Sequence, residues 1–292
     1  MAIRALRSIG LHTWIAGILI SAVCGPLAMW QFFRWARHLV GDDRAFAATA
    51  LFLVYPFAYS LFGVVYTEAL FLALVIPAFL CLERGNVWLA TLFGALATAC
   101  RPVAPAVVVG LVVRQLELRR LRQEPIRAID FVPALSAVGM TAFMAFLWLR
   151  FDDPLDFAHV QAAPGRDHPP GWHTWLKVTW FKKMFPRVRP DIGFWLGMHA
   201  ALTVGALALC VATKKRLGWG SAAYAFVAVA IPAAGIKDFQ GMGRYAMAAF
   251  PCILTLSLLI GERPRLRRAA MVTSAAIALY FVVNFARSEW TA

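Results

Sequence analysis

No stretch of this sequence is long and polar enough to fold as a soluble domain, and carboxylates are scarce. Only 15% of the 292 residues are charged, while 61% are hydrophobic. Soluble domains carry about a quarter charged and about half apolar residues, so the composition excludes an ordinary soluble enzyme. A mean hydropathy of +0.67 points the same way. Lys and Arg outnumber Asp and Glu by 29 to 15, a net charge of +14. In a soluble chain that excess would suggest a nucleic-acid partner. Here no folded platform surrounds the basic residues, so no nucleic acid is expected. They sit in short loops between apolar runs, the pattern in which Lys and Arg stay on the cytoplasmic side of a membrane.

Familiar soluble motifs are also missing. There is no Walker loop and no HExxH, and the histidines lack metal-ligand spacing, which leaves them surface or interfacial roles. The five cysteines all lie inside apolar runs and form no CxxC pair, so they read as small packing residues. No divalent metal or other cofactor is implied. Residues 241–246 formally fit a dinucleotide fingerprint, but no strand precedes them and an apolar helix follows, so the match is discarded.

What is present is a series of hydrophobic runs. A spanning helix needs about 20 apolar residues. Segments 14–33, 45–62, 67–82, 87–113, 131–149, 192–212, 219–235, 245–260 and 269–285 approach that length. Open sheet edges cannot face lipid, and these runs do not alternate as barrel strands do, so all are read as helices. The expected fold class is all-α: a polytopic transmembrane protein of about nine segments forming one domain over 1–292. The first run is read as a retained helix rather than a signal peptide, because it continues through Trp30 without a small-residue cleavage site.

Three basic stretches, 114–127, 214–216 and 263–268, are placed together on the inner face. That puts 150–191 outside as the largest polar loop, with Trp172, Trp175 and Trp180 suited to an interfacial helix. Segment 87–113 starts and ends beside inner-face arginines, and Arg101-Pro102 interrupts it. It is either a re-entrant pair of half-helices or one kinked span. Counting back through a re-entrant pair puts the N-terminus outside.

Polar residues at the edges of the apolar runs are the candidates for chemistry. Tyr66, Thr67 and Glu68 lie between two helices at the outer face. A carboxylate there needs a wet cavity or a cation, or else starts a helix with Thr67 as its cap. Arg101, in mid-segment, needs a carboxylate, a phosphate or water; Glu68 is one possible partner. Arg244 and Tyr245 open a helix at the outer face, as phosphate ligands or as an interfacial anchor. Asp152 and Asp153 are paired carboxylates that suit a metal ligand, a base or an ordinary solvated turn. Asp42 and Asp43 read as an inner loop.

These residues carry a resemblance. The run from Tyr55 to Leu72, with Tyr66-Thr67-Glu68 inside it, resembles the PIG-V-type mannosyltransferase family, and so do 97–102, 153–161 ending at Gln161, and 243–251. The resemblance implies a GT-C membrane glycosyltransferase fold and a lipid-phosphate sugar as donor substrate. It implies transfer of mannose from a polyprenyl-phosphate, dolichyl-phosphate-type donor to a glycolipid such as a phosphatidylinositol glycan. The carboxylates present here to which the catalytic role would fall are Glu68 first and Asp152 or Asp153 next, and Tyr66, Thr67, Arg101, Gln161, Arg244 and Tyr245 are the substrate-binding candidates. The expected partners are membrane lipids, the polyprenyl-phosphate sugar and the glycolipid acceptor; the Ala- and Arg-rich composition suggests a bacterial plasma membrane. The family's catalytic Trp-Asp motif occurs nowhere in this chain, and the similarity begins near Trp14, so the chain reads as lacking the family's front portion. The alternative is a non-catalytic polytopic membrane protein, transporter-like or a scaffold subunit.

Overall fold

The computed structural model describes residues 2–185 and 190–287. Among them the secondary structure is helical, with no strand. The N-terminal half is built from α1 (Ala2–Ser8), α2 (Thr13–Val40), α3 (Asp42–Leu53), α4 (Glu68–Glu83), α5 (Val87–Thr98), α6 (Ala104–Leu121) and α7 (Val138–Phe151). Three short helices follow: α8 (Asp156–Ala162), α9 (Trp172–Trp175) and α10 (Val178–Met184). The C-terminal half comprises α11 (Pro190–Leu217), α12 (Trp219–Gly235), α13 (Met242–Tyr245), α14 (Phe250–Gly261) and α15 (Pro264–Ala286).

The all-α expectation holds, but the nine spanning segments do not. Among the described residues four helices are long and apolar enough to cross a membrane: 13–40, 128–151 (a 3-10 turn running into α7), 193–217 and 264–286. A fifth is counted only if the pair 242–248 and 250–261, bent by 88°, is one span. The other expected segments are shortened by local chemistry. Segment 45–62 stops as a helix at Leu53, just before Tyr55-Pro56, because a proline disfavours helical backbone in the residue before it. Segment 87–113 breaks between Thr98 and Ala104, around Arg101-Pro102. Segments 67–82 and 219–235 are helices of 16 and 17 residues. Asp42 and Asp43, expected in a loop, form the first turn of α3, where carboxylates suit the helix dipole.

Helix α4 is the centre of the molecule. Phe71, Leu72, Val75, Ile76, Phe79 and Leu82 are buried on one side and Ala69, Ala73, Pro77 and Leu80 on the other, as expected for a helix apolar on every side. Phe250 of α14 knits the surrounding helices together, with ring centroids 4.9 Å from Trp35, 5.7 Å from Phe79 and 5.4 Å from Tyr224. Small residues let backbones approach where helices cross. A Cβ on Gly139 of α7 would lie 1.7 Å from the Ala95 carbonyl oxygen of α5, and one on Gly220 of α12 would lie 2.4 Å from Arg114 Cβ of α6.

Two polar networks define two ends. At one end Arg114 forks onto Glu83, with Nε–Oε1 at 2.7 Å and Nη2–Oε2 at 2.9 Å. It also reaches Glu117 at 2.7 Å and donates to the Leu217 carbonyl at 3.2 Å. Glu117 accepts from the amides of Trp219 and Gly220, capping α12. Arg216 meets Glu262 at 3.7 Å. The stretches 114–127, 214–216 and 263–268 therefore share one face. Because Glu83 at the end of α4 and Arg114 near the end of α6 meet there, α5 and α6 form a hairpin that leaves this face and returns to it. Of the two readings of 87–113, the re-entrant pair is the one observed.

Candidate functional site

At the opposite end the chain is irregular where it must be. Thr67 precedes α4 with φ −81° and ψ −11°, already helical, and its side chain makes no capping bond, contrary to the expected cap. Glu68 opens the helix, its side chain only 4% exposed. Pro102 holds Arg101 out of a helix at the tip of the α5–α6 hairpin. Gly241, with φ +76°, turns the chain into the single turn of α13 that carries Arg244 and Tyr245.

These three places converge. Arg101 Nη1 lies 3.3 Å from Glu68 Oε1, and Arg244 Nε lies 3.0 Å from the same oxygen. The two arginine side chains are 8% and 13% exposed. Aromatic rings wall the cluster: Arg244 Cζ is 4.0 Å from the Tyr66 ring centroid and 5.1 Å from that of Tyr245, and Arg101 Cζ is also 5.1 Å from Tyr245. Although both nitrogens are within ion-pair distance of Glu68, neither N–H is aimed at an acceptor. Arg101 Nη1 and Arg244 Nε are buried donors without a hydrogen bond. Among the described residues no other carboxylate pairs with either arginine. Two cations share one anion, which leaves one net positive charge in a buried, aromatic-walled site. Such a site favours an anion with several acceptor oxygens.

No protein-family model matches the chain, and no curated protein matches it in sequence. The chemistry of the cluster therefore stands on its own geometry.

The sequence missed what positions Arg244. The Gly243 amide donates to His199 Nδ1 at 2.9 Å, and the Gly243 carbonyl accepts from the Tyr55 hydroxyl at 2.7 Å. His199 is 2% exposed inside α11, not at the surface or interface expected of the histidines. Its ring lies 5.1 Å from that of Phe57. The one available signal was a lone histidine within an apolar run.

Three expected site residues lie apart from the cluster. Asp152 ends α7 in the left-handed region, at φ 56°. Asp153 accepts from the Leu155 amide at 2.9 Å and meets His159 Nδ1 at 2.5 Å. The contact with His159, then that with the amide, holds the Asp153 carboxyl below the usual carboxylate range, which makes it a weaker base. Gln161 accepts at its backbone carbonyl from the His168 amide. Among the described residues no hydrogen bond or ion pair links these three to Glu68, Arg101 or Arg244.

The 150–191 segment is tied instead to the loop before α13. The Lys177 ammonium donates to the carbonyls of Ala233 and Ile236, Lys183 pairs with Asp238, and Lys237 meets Asp167 at 3.2 Å. Burial pulls the Lys177 pKa down to about 8, with Asp238 opposing the shift. Trp172, Trp175 and Phe181 are exposed along this segment. Part of it, residues 186–189, lies outside the described residues.

Proposed function

We propose that the Glu68–Arg101–Arg244 cluster binds the phosphate of a lipid-phosphate sugar, and that the protein is a membrane glycosyltransferase of the PIG-V type. The observation that carries this reading is the excess buried positive charge, with two guanidinium donors lacking acceptors. A phosphate monoester or diester supplies the missing oxygens and the missing charge, and a guanidinium binds them in a fork. The order of Tyr66-Thr67-Glu68, Arg101-Pro102 and Arg244-Tyr245 along the chain, and their meeting at one point, adds support.

In the proposed reaction the acceptor hydroxyl attacks the anomeric carbon of the donor sugar. The bond from that carbon to the phosphate oxygen breaks, and the phosphate leaves with the electron pair. Arg101 and Arg244 neutralise the charge that grows on the leaving group. The hydroxyl proton passes to a carboxylate. Glu68 is the carboxylate in the cluster, released from its guanidiniums as the phosphate engages them. Mannose as the sugar, a glycolipid acceptor and a bacterial plasma membrane are parts of the same proposal.

A transporter-like role is the second reading, favoured by the broken hairpin with Arg101 at its tip, a form that binds anionic groups in transporters. Binding of polyprenyl phosphate and of polyprenyl-phosphate mannose to the protein in nanodiscs tests the shared premise. Affinity should exceed that for neutral polyprenol and fall roughly tenfold to a hundredfold in Arg101→Gln and in Arg244→Gln, the worth of one charge-assisted hydrogen bond. Equal affinity for the phosphate and the alcohol would reduce the cluster to a structural ion triad. Transfer of labelled mannose to a lipid acceptor, against uptake of the donor across a sealed vesicle, separates enzyme from transporter.

A further inference from the structure

A second feature lies on the lipid-facing side, between α15 and the body of the molecule. A cavity of about 690 Å³ runs between α3, α11, α14 and α15, bounded by Leu51, Leu202, Leu209, Ile253, Leu266 and Ile277. Its polar neighbours are few: the hydroxyls of Tyr55, Thr273 and Ser274 and the Cys252 thiol, two of the hydroxyls bonded to backbone. The Tyr55 hydroxyl donates to the Gly243 carbonyl, and the Ser274 hydroxyl to that of Val54 at 2.8 Å. The wall offers almost nothing to water and suits a hydrocarbon chain.

Length and charge say which chain. Along α15 the groove extends from Leu266 to Ile277, about 16 Å at about 1.5 Å per residue. That is close to half of a hydrocarbon core about 30 Å thick, the depth of one leaflet. Leu266, Ala269 and Ala270 line its end at the basic face, interleaved with Arg265, Arg267 and Arg268. These three arginines are exposed, and among the described residues none pairs with a carboxylate. Glu262, the acidic residue next to them in sequence, meets Arg216 instead. An apolar slot one leaflet deep thus opens beside a cluster of unpaired cations at headgroup level.

We infer that this groove is a binding site for an anionic glycerophospholipid of the leaflet on the basic face. One acyl chain lies in the slot, and the headgroup phosphate rests on Arg265, Arg267 and Arg268. Basic pockets between membrane helices bind acidic lipids by this combination of charge and burial. The arginine end of the groove is at the opposite face from Glu68, Arg101 and Arg244, while its other end reaches Tyr55 and Ala246 beside the Arg244–Tyr245 turn; the inference does not depend on the function proposed for that cluster.

The full-length protein, stripped in detergent and incubated with phosphatidylglycerol or phosphatidylcholine, tests the site by native mass spectrometry. Phosphatidylglycerol should be retained in preference. Gly205→Leu fills the groove from α11; a Cβ at Gly205 meets nothing within 4 Å, so the fold tolerates it. That variant should lose lipid retention, while Val211→Leu on an exposed position of the same helix should not. The triple variant Arg265→Gln/Arg267→Gln/Arg268→Gln should lower the preference for phosphatidylglycerol by roughly tenfold or more. Helical circular dichroism and a single elution peak establish that each variant is folded. Retention unchanged in Gly205→Leu, or the preference unchanged in the triple variant, overturns the proposal. So does loss of lipid in Arg101→Gln/Arg244→Gln with the basic end intact, which would assign the groove to the tail of a lipid held at the other site.

Discussion

Gly243 carries more of the site than any charged residue beside it. Both of its backbone polar groups are held by side chains from distant elements, Tyr55 and His199, so the two peptides that flank it, the second leading into Arg244, each have one orientation. It must also be glycine, because a Cβ there would lie 2.2 Å from Cε2 of the buried Phe57 ring. Replacing His199 with leucine leaves a buried N–H without an acceptor, at a cost of about 1–3 kcal/mol. The expected outcome for His199→Leu is a lower melting temperature together with weaker polyprenyl-phosphate binding. His199→Asn, which restores an acceptor, should recover part of both. A lower melting temperature with unchanged binding would limit His199 to a packing role. The charged residues of the site were legible in the sequence because charge inside apolar sequence is conspicuous. The clamp was not, since a tyrosine and a histidine about 144 residues apart signal nothing until the fold brings them to one glycine.

The re-entrant hairpin of α5 and α6 is the element that delivers Arg101. The first half is too short to cross a bilayer and the second is apolar only from Ala104 to Val113, and the break at Arg101-Pro102 was visible as a proline after a charge. Which way the second half turns was not visible, because α5 and α6 are apolar along most of their length and both directions bury them equally well. The buried pair of Glu83, 4% exposed, with Arg114, 8% exposed, fixes the return. Removing one partner of a buried pair strands the other charge and costs about 3–5 kcal/mol, less where a further carboxylate is present. Since Glu117 still faces Arg114, Glu83→Ala should destabilise by about 3 kcal/mol, read from unfolding in denaturant within mixed micelles. Arg114→Ala should cost more, because it leaves both Glu83 and Glu117 unpaired. The reverse order would show that Glu83 holds the hairpin through something other than its pair with Arg114.

On the scale of the whole molecule, charge separates the two ends. The three basic stretches meet at one face through Arg114, Glu117, Leu217, Arg216 and Glu262, while the 166–183 segment docks on the 233–240 loop at the other. Positive-inside bias assigns the basic face to the cytoplasm. In a variant with its five native cysteines replaced, single cysteines at exposed Gln123 and Lys215 should resist an impermeant thiol reagent in intact cells. Arg166→Cys should react. Labelling at Gln123→Cys or Lys215→Cys without lysis would invert the orientation.

The sequence alone determined that the chain is helical and membrane-embedded, because apolar run length and the demand for internal hydrogen bonding in lipid leave no other solution. Four of the runs it marked overlap 13–40, 128–151, 193–217 and 264–286, the four long apolar helices among the described residues. It also marked Glu68, Arg101 and Arg244, since an ionisable group in such surroundings needs a partner. Only the tertiary structure decided that the remaining runs are short or broken helices, that the hairpin re-enters, and that two arginines converge on one carboxylate oxygen while Asp152, Asp153 and Gln161 stay outside. The reason is that hydropathy is a local property that measures transfer into an apolar medium and is blind to whether that medium is lipid or protein. The buried helix α4 and the lipid-facing helix α15 look alike to it, and only packing tells them apart.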